Sequence, residues 1–279
     1  TLSGFFIKIL NKEMKLMKPN ILPLEKVCNP RDLGGYVGYQ GRKVKMHRLL
    51  RTGKISNITR HDQEFLLNYG LTKIIDLRSP TECDHCPDSK IPGVEHFCIP
   101  ISVDDNTKGG KKDLTQVFAT YRQDQYAGFR MMCERYKSHV LKEHAQHSLH
   151  KILELLANTE KGAVLYHCSE GKDRTGLVTV VLLYLLGVDM ETIRQDYLYS
   201  NYMLNNYRAK RDKKMQEEGE NLCFRANMRI LGSVSDAFLD TSLIAIEQNF
   251  GSFDNFLQEK IGVTTELREA LRDLYLEEK

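Results

Sequence analysis

The chain has 279 residues, 41% of them hydrophobic, and a formal net charge of only +3, so it can bury a core of ordinary size and has no overall field to draw in nucleic acid. Its seven cysteines form an odd set without the spacing of a disulfide scaffold, which implies reduced thiols and a cytoplasmic setting, with secretion as a bacterial effector as the alternative. The longest apolar run, Leu177 to Val188, falls well short of the roughly 20 residues that span a bilayer.

At the N-terminus, Phe6, Leu10, Met14 and Met17 share one helical face and Lys8, Lys12 and Lys15 another. Residues 1–26 read as a helical or disordered segment, with a helix lying on a membrane surface as a third reading. Asn29-Pro30-Arg31-Asp32-Leu33-Gly34-Gly35-Tyr36 is rich in turn formers, and Tyr36 to Tyr39 with Lys43 to Met46 reads as a hairpin around Gln40-Gly41. Arg48 to Arg51 reads as a strand, and Thr59 to Tyr69 as a helix capped by Thr59 or Asn57.

Thr72 to Leu77 is a β-rich run leading into Asp76-Leu77-Arg78-Ser79-Pro80, with Glu82 close behind. Strand C-termini in an open α/β sheet face the ligand crevice, so Asp76 and Arg78 either stand beside a site or form a buried structural pair. Cys83-Asp84-His85-Cys86, with His96 and Cys98 downstream, holds the residue types of a zinc site or redox pair. It lacks a second paired spacing, and a polar loop without metal is preferred. Val94 to Ile101 reads as a strand enclosing Cys98, followed by a loop with Asp104 and Asp105 that continues through Gly109-Gly110.

From Asp113 to Leu156 the pattern is that of a helical insertion, and its histidines, His139, His144, His147 and His150, do not follow a metal-binding spacing. Residues 190–279 read as a helical C-terminal part: Met190 to Asn206, Ser235 to Gln248, Phe253 to Lys260, and Thr265 to Leu276. Between the first two lies a basic run, Arg208, Lys210, Arg211, Lys213 and Lys214, followed by Glu217, Glu218 and Glu220. A solvated helix is the preferred reading of that run, with contact to an anionic substrate as the alternative.

The most informative stretch lies between an apolar run at Ala163 to Tyr166, a buried strand, and one at Leu177 to Leu186, a helix. The residues in between, His167-Cys168-Ser169-Glu170-Gly171-Lys172-Asp173-Arg174-Thr175-Gly176, make a strand-to-helix loop. Such a loop presents unpaired N–H groups at the positive end of the helix dipole, which is an anion site. Gly171 allows a tight fold around an oxyanion, and Arg174 can place its planar fork on two phosphate oxygens. The same field acts on Cys168, because a helix N-terminus beside arginine lowers a thiol from about 8.5 to roughly 3.5–7.5. His167 either supports the loop by hydrogen bonding or is a satisfied core histidine, and Thr175 either donates to the sulfur or caps the helix.

Cys168, five residues, Arg174 and Thr175, preceded by His167, resembles the phosphate-binding loop of the cysteine-dependent protein tyrosine phosphatases. The ending Gly171-Lys172-Asp173-Arg174-Thr175-Gly176 is similar to one bacterial branch that also resembles lipid phosphatases. The resemblance implies a phosphotyrosine-phosphatase-like α/β fold over residues 27–279, with a central, mostly parallel sheet flanked by helices. It also implies hydrolysis of phosphotyrosine, and in the wider family of phosphoserine, phosphothreonine or phosphoinositides, through a cysteinyl-phosphate without metal or cofactor. Ser169, Glu170, Gly171, Lys172, Asp173 and Arg174 would hold the phosphate. The string from Asn29 to Gly35 looks like the N-terminal signature of that branch, with Arg31 and Asp32 expected to brace the loop.

For the acid that protonates the leaving group, Asp173 is preferred, as in phosphatases whose motif places Asp directly before Arg, and Asp104 or Asp105 is the rival. Lys172 favours substrates with extra phosphates, and Glu170 opposes it. A silent phosphate-binding module and a rhodanese-like sulfurtransferase are the competing classes. The intact Cys168 and Arg174 argue against the first; the Arg174 spacing followed by Thr175 argues against the second.

Overall fold

The computed structural model describes residues 19–103 and 114–278. Six strands build one sheet: β1 (Asn20–Ile21), β2 (Arg31–Asp32), β3 (Leu49–Thr52), β4 (Leu71–Asp76), β5 (Glu95–Cys98) and β6 (Ala163–His167), in the order β1-β2-β3-β6-β4-β5. The four strands β3, β6, β4 and β5 are parallel, and the two-residue β1 and β2 add an antiparallel edge. β6 is buried along its whole length and lies at the centre, which explains why it reads as an unbroken apolar run.

Helices cover both faces. α1 (Arg60–Asn68), α2 (Pro80–His85), α3 (Leu114–Gln123), α4 (Ala127–Leu141) and α5 (Glu143–Ala157) precede β6. α6 (Arg174–Leu185), α7 (Met190–Met203), α8 (Asn205–Glu217), α9 (Leu222–Leu231), α10 (Asp236–Phe250) and α11 (Thr265–Tyr275) follow it. α6 is buried on almost every side, from Thr175 to Leu185 apart from Tyr184. Each of its Leu and Val side chains removed from water contributes about 1.5–3 kcal/mol, so the helix that follows the loop is the best-anchored element next to it. Among the described residues no helix is long and apolar enough to cross a membrane.

The expected hairpin forms in short form around Tyr39–Gly41: Val37 bridges Lys43, Gly38 N–H donates to Arg42 O, Val44 N–H to Tyr36 O and Gly35 N–H to Val44 O, while Tyr39 N–H also donates to Leu186 O, Lys45 N–H to Tyr275 O, and Val44 bridges Leu276. The partner segment and the ends of α6 and α11 thus share this backbone. The segment containing Cys83 is a helix rather than a loop: Pro80 sits in its first turn, and Ser79 and Glu82 form a reciprocal capping box. Cys98 is exposed, because β5 is the sheet's outer strand. The insertion resolves into α3, α4 and α5. The N-terminal amphipathic stripe up to Met17, and Asp104 and Asp105, lie outside the described residues.

Candidate active site

β6 ends at His167 and α6 begins at Arg174, so residues 168–173 form the expected strand-to-helix loop. Every carbonyl from His167 to Asp173 lies against a nitrogen. His167 O accepts from Leu77 N–H at 2.9 Å, Ser169 O from Lys54 N–H at 3.3 Å, Lys172 O from Gly176 N–H and Asp173 O from Leu177 N–H, both at 2.9 Å. Cys168 O lies 3.4 Å from His167 Nδ1. Asn29 Nδ2 donates to Glu170 O at 3.4 Å and to Gly171 O at 2.7 Å, and Arg51 Nη2 donates to Gly171 O at 2.9 Å.

A trans peptide points its C=O and the next N–H in opposite directions. Anchoring the carbonyls therefore turns the N–H groups of residues 169–174 to the other side of the backbone. Among the described residues no acceptor pairs with them. Together with the start of α6 they make a cradle for an anion.

Two glycines permit this packing. Gly171 has φ +67, and a Cβ there would lie 2.4 Å from the Thr52 carbonyl and 2.5 Å from Gly53 N. Across the contact, a Cβ on Gly53 would lie 2.3 Å from Cys28 Sγ.

Cys168 is 3% exposed at the base of the loop. Arg174 presents its fork to Glu82: Nη2 donates to Oε1 at 2.8 Å and Nη1 to Oε2, while Ser169 Oγ donates to the same Oε1. Burial works against the charge on Glu82, but the Arg174 hydrogen bonds outweigh it and hold the carboxyl down at about 2. The guanidinium is thus already shaped around two carboxylate oxygens, the geometry a phosphate would take over.

Lys172 is buried, with Nζ 2.8 Å from Glu170 Oε2 and 2.7 Å from Asp173 Oδ2. Asp173 also accepts from Tyr136 Oη at 2.7 Å. Burial raises its carboxyl, yet Lys172 and Tyr136 keep it below the usual range. The charge of Lys172 is neutralised within the protein rather than offered to a second phosphate. Glu170 also lies 3.8 Å from Arg211, so the basic run does reach the loop through one residue, while Lys213 and Lys214 form exposed pairs with Glu217 and Glu218. Thr175 caps nothing; its buried hydroxyl has no partner among the described residues.

Two buried charge clusters flank the loop. On one side Asp196, from α7, lies between Arg31 at 3.2 Å and Arg51 at 2.5 Å, all three without exposure, and accepts from Tyr36 Oη at 2.9 Å. Burial opposes the charge on Asp196, and Arg31 and Arg51 keep it ionised. The bracing differs from expectation. Asn29 and Arg51 touch the loop, Arg31 holds Asn29 Oδ1 and Asp196, and Asp32 instead accepts from Gly34 N–H, His47 N–H and Tyr69 Oη.

On the other side Arg78 lies 2.7 Å from Asp76 and 2.8 Å from Asp88, and His167 Nε2 is 2.8 Å from Asp88 Oδ2. Asp76 and Arg78 are thus a buried pair behind the loop. Burial raises the Asp76 carboxyl, but hydrogen bonds from Arg78 hold it down at about 2. Asp76, Asp88 and His167 place donor atoms within 4.8 Å of one another, the spacing of a cation site, but Arg78 already occupies both carboxylates. The thiols of Cys83-Asp84-His85-Cys86 part company: Cys83 Sγ lies 3.1 Å from Asp76 and Cys86 Sγ 3.3 Å from Lys54 Nζ. A cavity of about 710 Å³ beside this cluster is lined by Arg78, Cys83, Asp88, His96 and Cys98 among others, and by none of the loop.

Sequence reasoning missed Asn29, Arg51, Asp196 and Tyr136. Their signals are weak one at a time, and the long-range contacts they make span from 37 to 171 positions of chain.

The sequence model described as "Tyrosine phosphatase family" matches residues 22–277. A putative tyrosine-protein phosphatase of Cupriavidus necator is 29% identical over 244 residues, covering 87% of this chain and 84% of that protein. The triple specificity protein phosphatase PtpB of Mycobacterium tuberculosis is 27% identical, covering 76% of this chain and 85% of its own length. A tyrosine-protein phosphatase of Nostoc commune is 27% identical over 59% of this chain and 52% of that protein.

Proposed function

The chain belongs to the tyrosine phosphatase family, and from that premise we propose that it hydrolyses phosphotyrosine by two displacements at phosphorus centred on Cys168. The observation that carries this reading is the loop itself: its carbonyls are engaged by neighbouring segments, by His167 and by the first turn of α6, which leaves the N–H groups of residues 169–174 and the Arg174 fork for the phosphoryl oxygens.

In the first step the Cys168 thiolate forms an S–P bond as the P–O bond to the tyrosine oxygen breaks, and that oxygen takes up a proton. In the second, water forms a new O–P bond and passes a proton back to the acid that protonated the tyrosine oxygen, the S–P bond breaks, inorganic phosphate leaves and the thiolate returns. Arg174 and the loop amides neutralise the equatorial oxygens in both steps, moving from Glu82 to the substrate in the case of Arg174. Asp173 is the proton donor of this scheme. Lys172 and Tyr136 keep it a carboxylate in the free protein, and a phosphomonoester of about −1.5 to −2 charge beside it drives it to protonate as substrate binds. If Asp173→Asn keeps activity on a poor leaving group while Asp105→Asn loses it, the acid is in the other loop.

The Gly171-Lys172-Asp173-Arg174-Thr175-Gly176 ending supports placing the chain in the bacterial branch that resembles lipid phosphatases. The burial of Lys172 between two carboxylates favours protein phosphomonoesters over polyphosphorylated inositol lipids as substrates. The test is turnover of p-nitrophenyl phosphate, phosphotyrosine, phosphoserine and phosphothreonine peptides, and phosphoinositides, by wild type and Cys168→Ser. Loss of phosphotyrosine turnover in Cys168→Ser supports the reading; retained turnover, or thiosulfate as the better substrate, sinks it.

A further inference from the structure

Among the loop carbonyls, those of Glu170 and Gly171 alone are held by side chains from distant parts of the chain, and both are held by Asn29. Its amide stands in a closed frame. Nδ2 also reaches Ser200 Oγ at 3.2 Å, Oδ1 accepts from Arg31 Nη1, and the residue is 1% exposed with φ 57. The left-handed backbone favours Asn among residues with a side chain, so the amide is fixed at both ends before it meets the loop. Arg51 approaches Gly171 O from β3, oriented by its second bond to Asp196, while its Nε has no partner among the described residues. The frame therefore has directional donors and a surplus of one positive charge, two guanidiniums to one carboxylate, behind the loop.

Peptide geometry makes these donors consequential for an anion they never touch. With Glu170 O and Gly171 O drawn outward, the N–H groups of Gly171 and Lys172 must face the opposite side. Without those donors the two peptides, flanking a glycine at positive φ, are the loop's easiest to flip, and a flipped peptide presents a carbonyl to the phosphate.

Resting on the phosphatase reading above, we propose that Asn29, backed by Arg51 and Asp196, is a positioning residue that fixes the oxyanion-facing peptides of the catalytic loop. The frame joins the N-terminal turn, β3 and α7, so the string beginning at Asn29 acts on catalysis through Asn29, and Arg31 acts by holding Asn29 in place.

The decisive variant is Asn29→Asp, which keeps the size, the left-handed backbone and the acceptor for Arg31 but turns the donor to the loop into an acceptor. Calorimetric binding of inorganic phosphate reads the loop directly, whether or not the protein turns substrate over. The expected result is a rise of about tenfold or more in the phosphate dissociation constant, and a matching rise in KM for p-nitrophenyl phosphate, in protein that melts as one cooperative unit. A merely structural role lowers the melting temperature and the folded fraction but leaves the dissociation constant of the folded protein within about twofold of wild type, and that result overturns the proposal. Should Asn29→Asp not fold, Asn29→Gly decides by the same criterion, since glycine accepts φ 57 and removes the donor; if neither folds, the role is structural and the proposal falls. Unchanged phosphate binding in the variants with normal wild-type turnover overturns this inference alone. Wild type that binds phosphate without hydrolysing any monoester overturns the phosphatase reading and leaves the binding comparison in force.

Discussion

The two charge clusters beside the catalytic loop are both buried, yet they are built in opposite ways. Arg31, Arg51 and Asp196 have one cation more than they have anions and direct side-chain donors, through Asn29 and Arg51, into the loop. Asp76, Arg78 and Asp88 have the opposite balance and close on themselves. Their link to the loop runs through His167, at its base. Burying a charge stabilises little by itself, because desolvation offsets the attraction. The difference teaches where such charge is put to use: the first cluster shapes the surface the phosphate meets, and the second locks β4 to the segment after α2.

The largest effect that could break this comparison comes from Asp196→Asn. Removing the only carboxylate between two buried guanidiniums should cost about 3–5 kcal/mol of stability, with weaker phosphate binding in whatever folds, measured by urea unfolding and calorimetry. If the variant is as stable as wild type, the cluster is not the tightly paired unit described.

Acid sensitivity next sets a buried group outside both clusters apart from the paired carboxylates. His139, 3% exposed against Ser102 and in neither cluster, is held down at about 4 by burial. The unfolded chain takes up its proton near 6.5, so stability present above that value is lost as pH falls from about 6.5 to 4, by up to about 3 kcal/mol. Asp76 and Glu82, both lowered to about 2, lose their contribution only below the usual carboxylate range. His139→Gln should flatten the upper limb and leave the lower one; a persisting upper limb would assign it to another group.

Arg51→Lys and Arg78→Lys sharpen the contrast, since each keeps the charge and loses the fork. Arg51→Lys should lower kcat/KM by about tenfold, whereas Arg78→Lys should cost about 1–3 kcal/mol of stability with phosphate affinity nearly unchanged. Equal losses of affinity in both would erase the distinction. The smallest effect is expected at Lys213→Ala and Lys214→Ala, whose exposed pairs with Glu217 and Glu218 are worth no more than about 0.5 kcal/mol.

What the sequence discloses follows contact range. The strand, loop and helix around Cys168 are legible because apolar period, glycine and capping chemistry all act within a few residues of one another. The cap on α1 by Thr59 is local in the same way. The helix at Pro80–His85 was legible in principle, since Ser79 and Glu82 stand at capping-box spacing, but the paired cysteines and the following proline drew attention to a loop. The hairpin at Tyr36–Met46 is legible because its own bonds are local, Val44 N–H to Tyr36 O and Gly38 N–H to Arg42 O, whereas its docking onto Leu186 and Tyr275, more than a hundred positions away, is not. Asn29 meets Gly171 across 142 positions, and no local pattern announces such a bond. The roles expected of Arg31 and Asp32 were drawn from position in a motif, and the fold gives the loop contact to their neighbour Asn29 instead.

The account stands on a phosphoryl group passing through Cys168. Rapid acid quenching during turnover of p-nitrophenyl phosphate, followed by mass spectrometry of peptides, should find one phosphate on Cys168 in wild type and more of it in a variant whose second step is slowed, Asp173→Asn. Phosphate absent from that cysteine in both proteins, or found on another side chain, would contradict it.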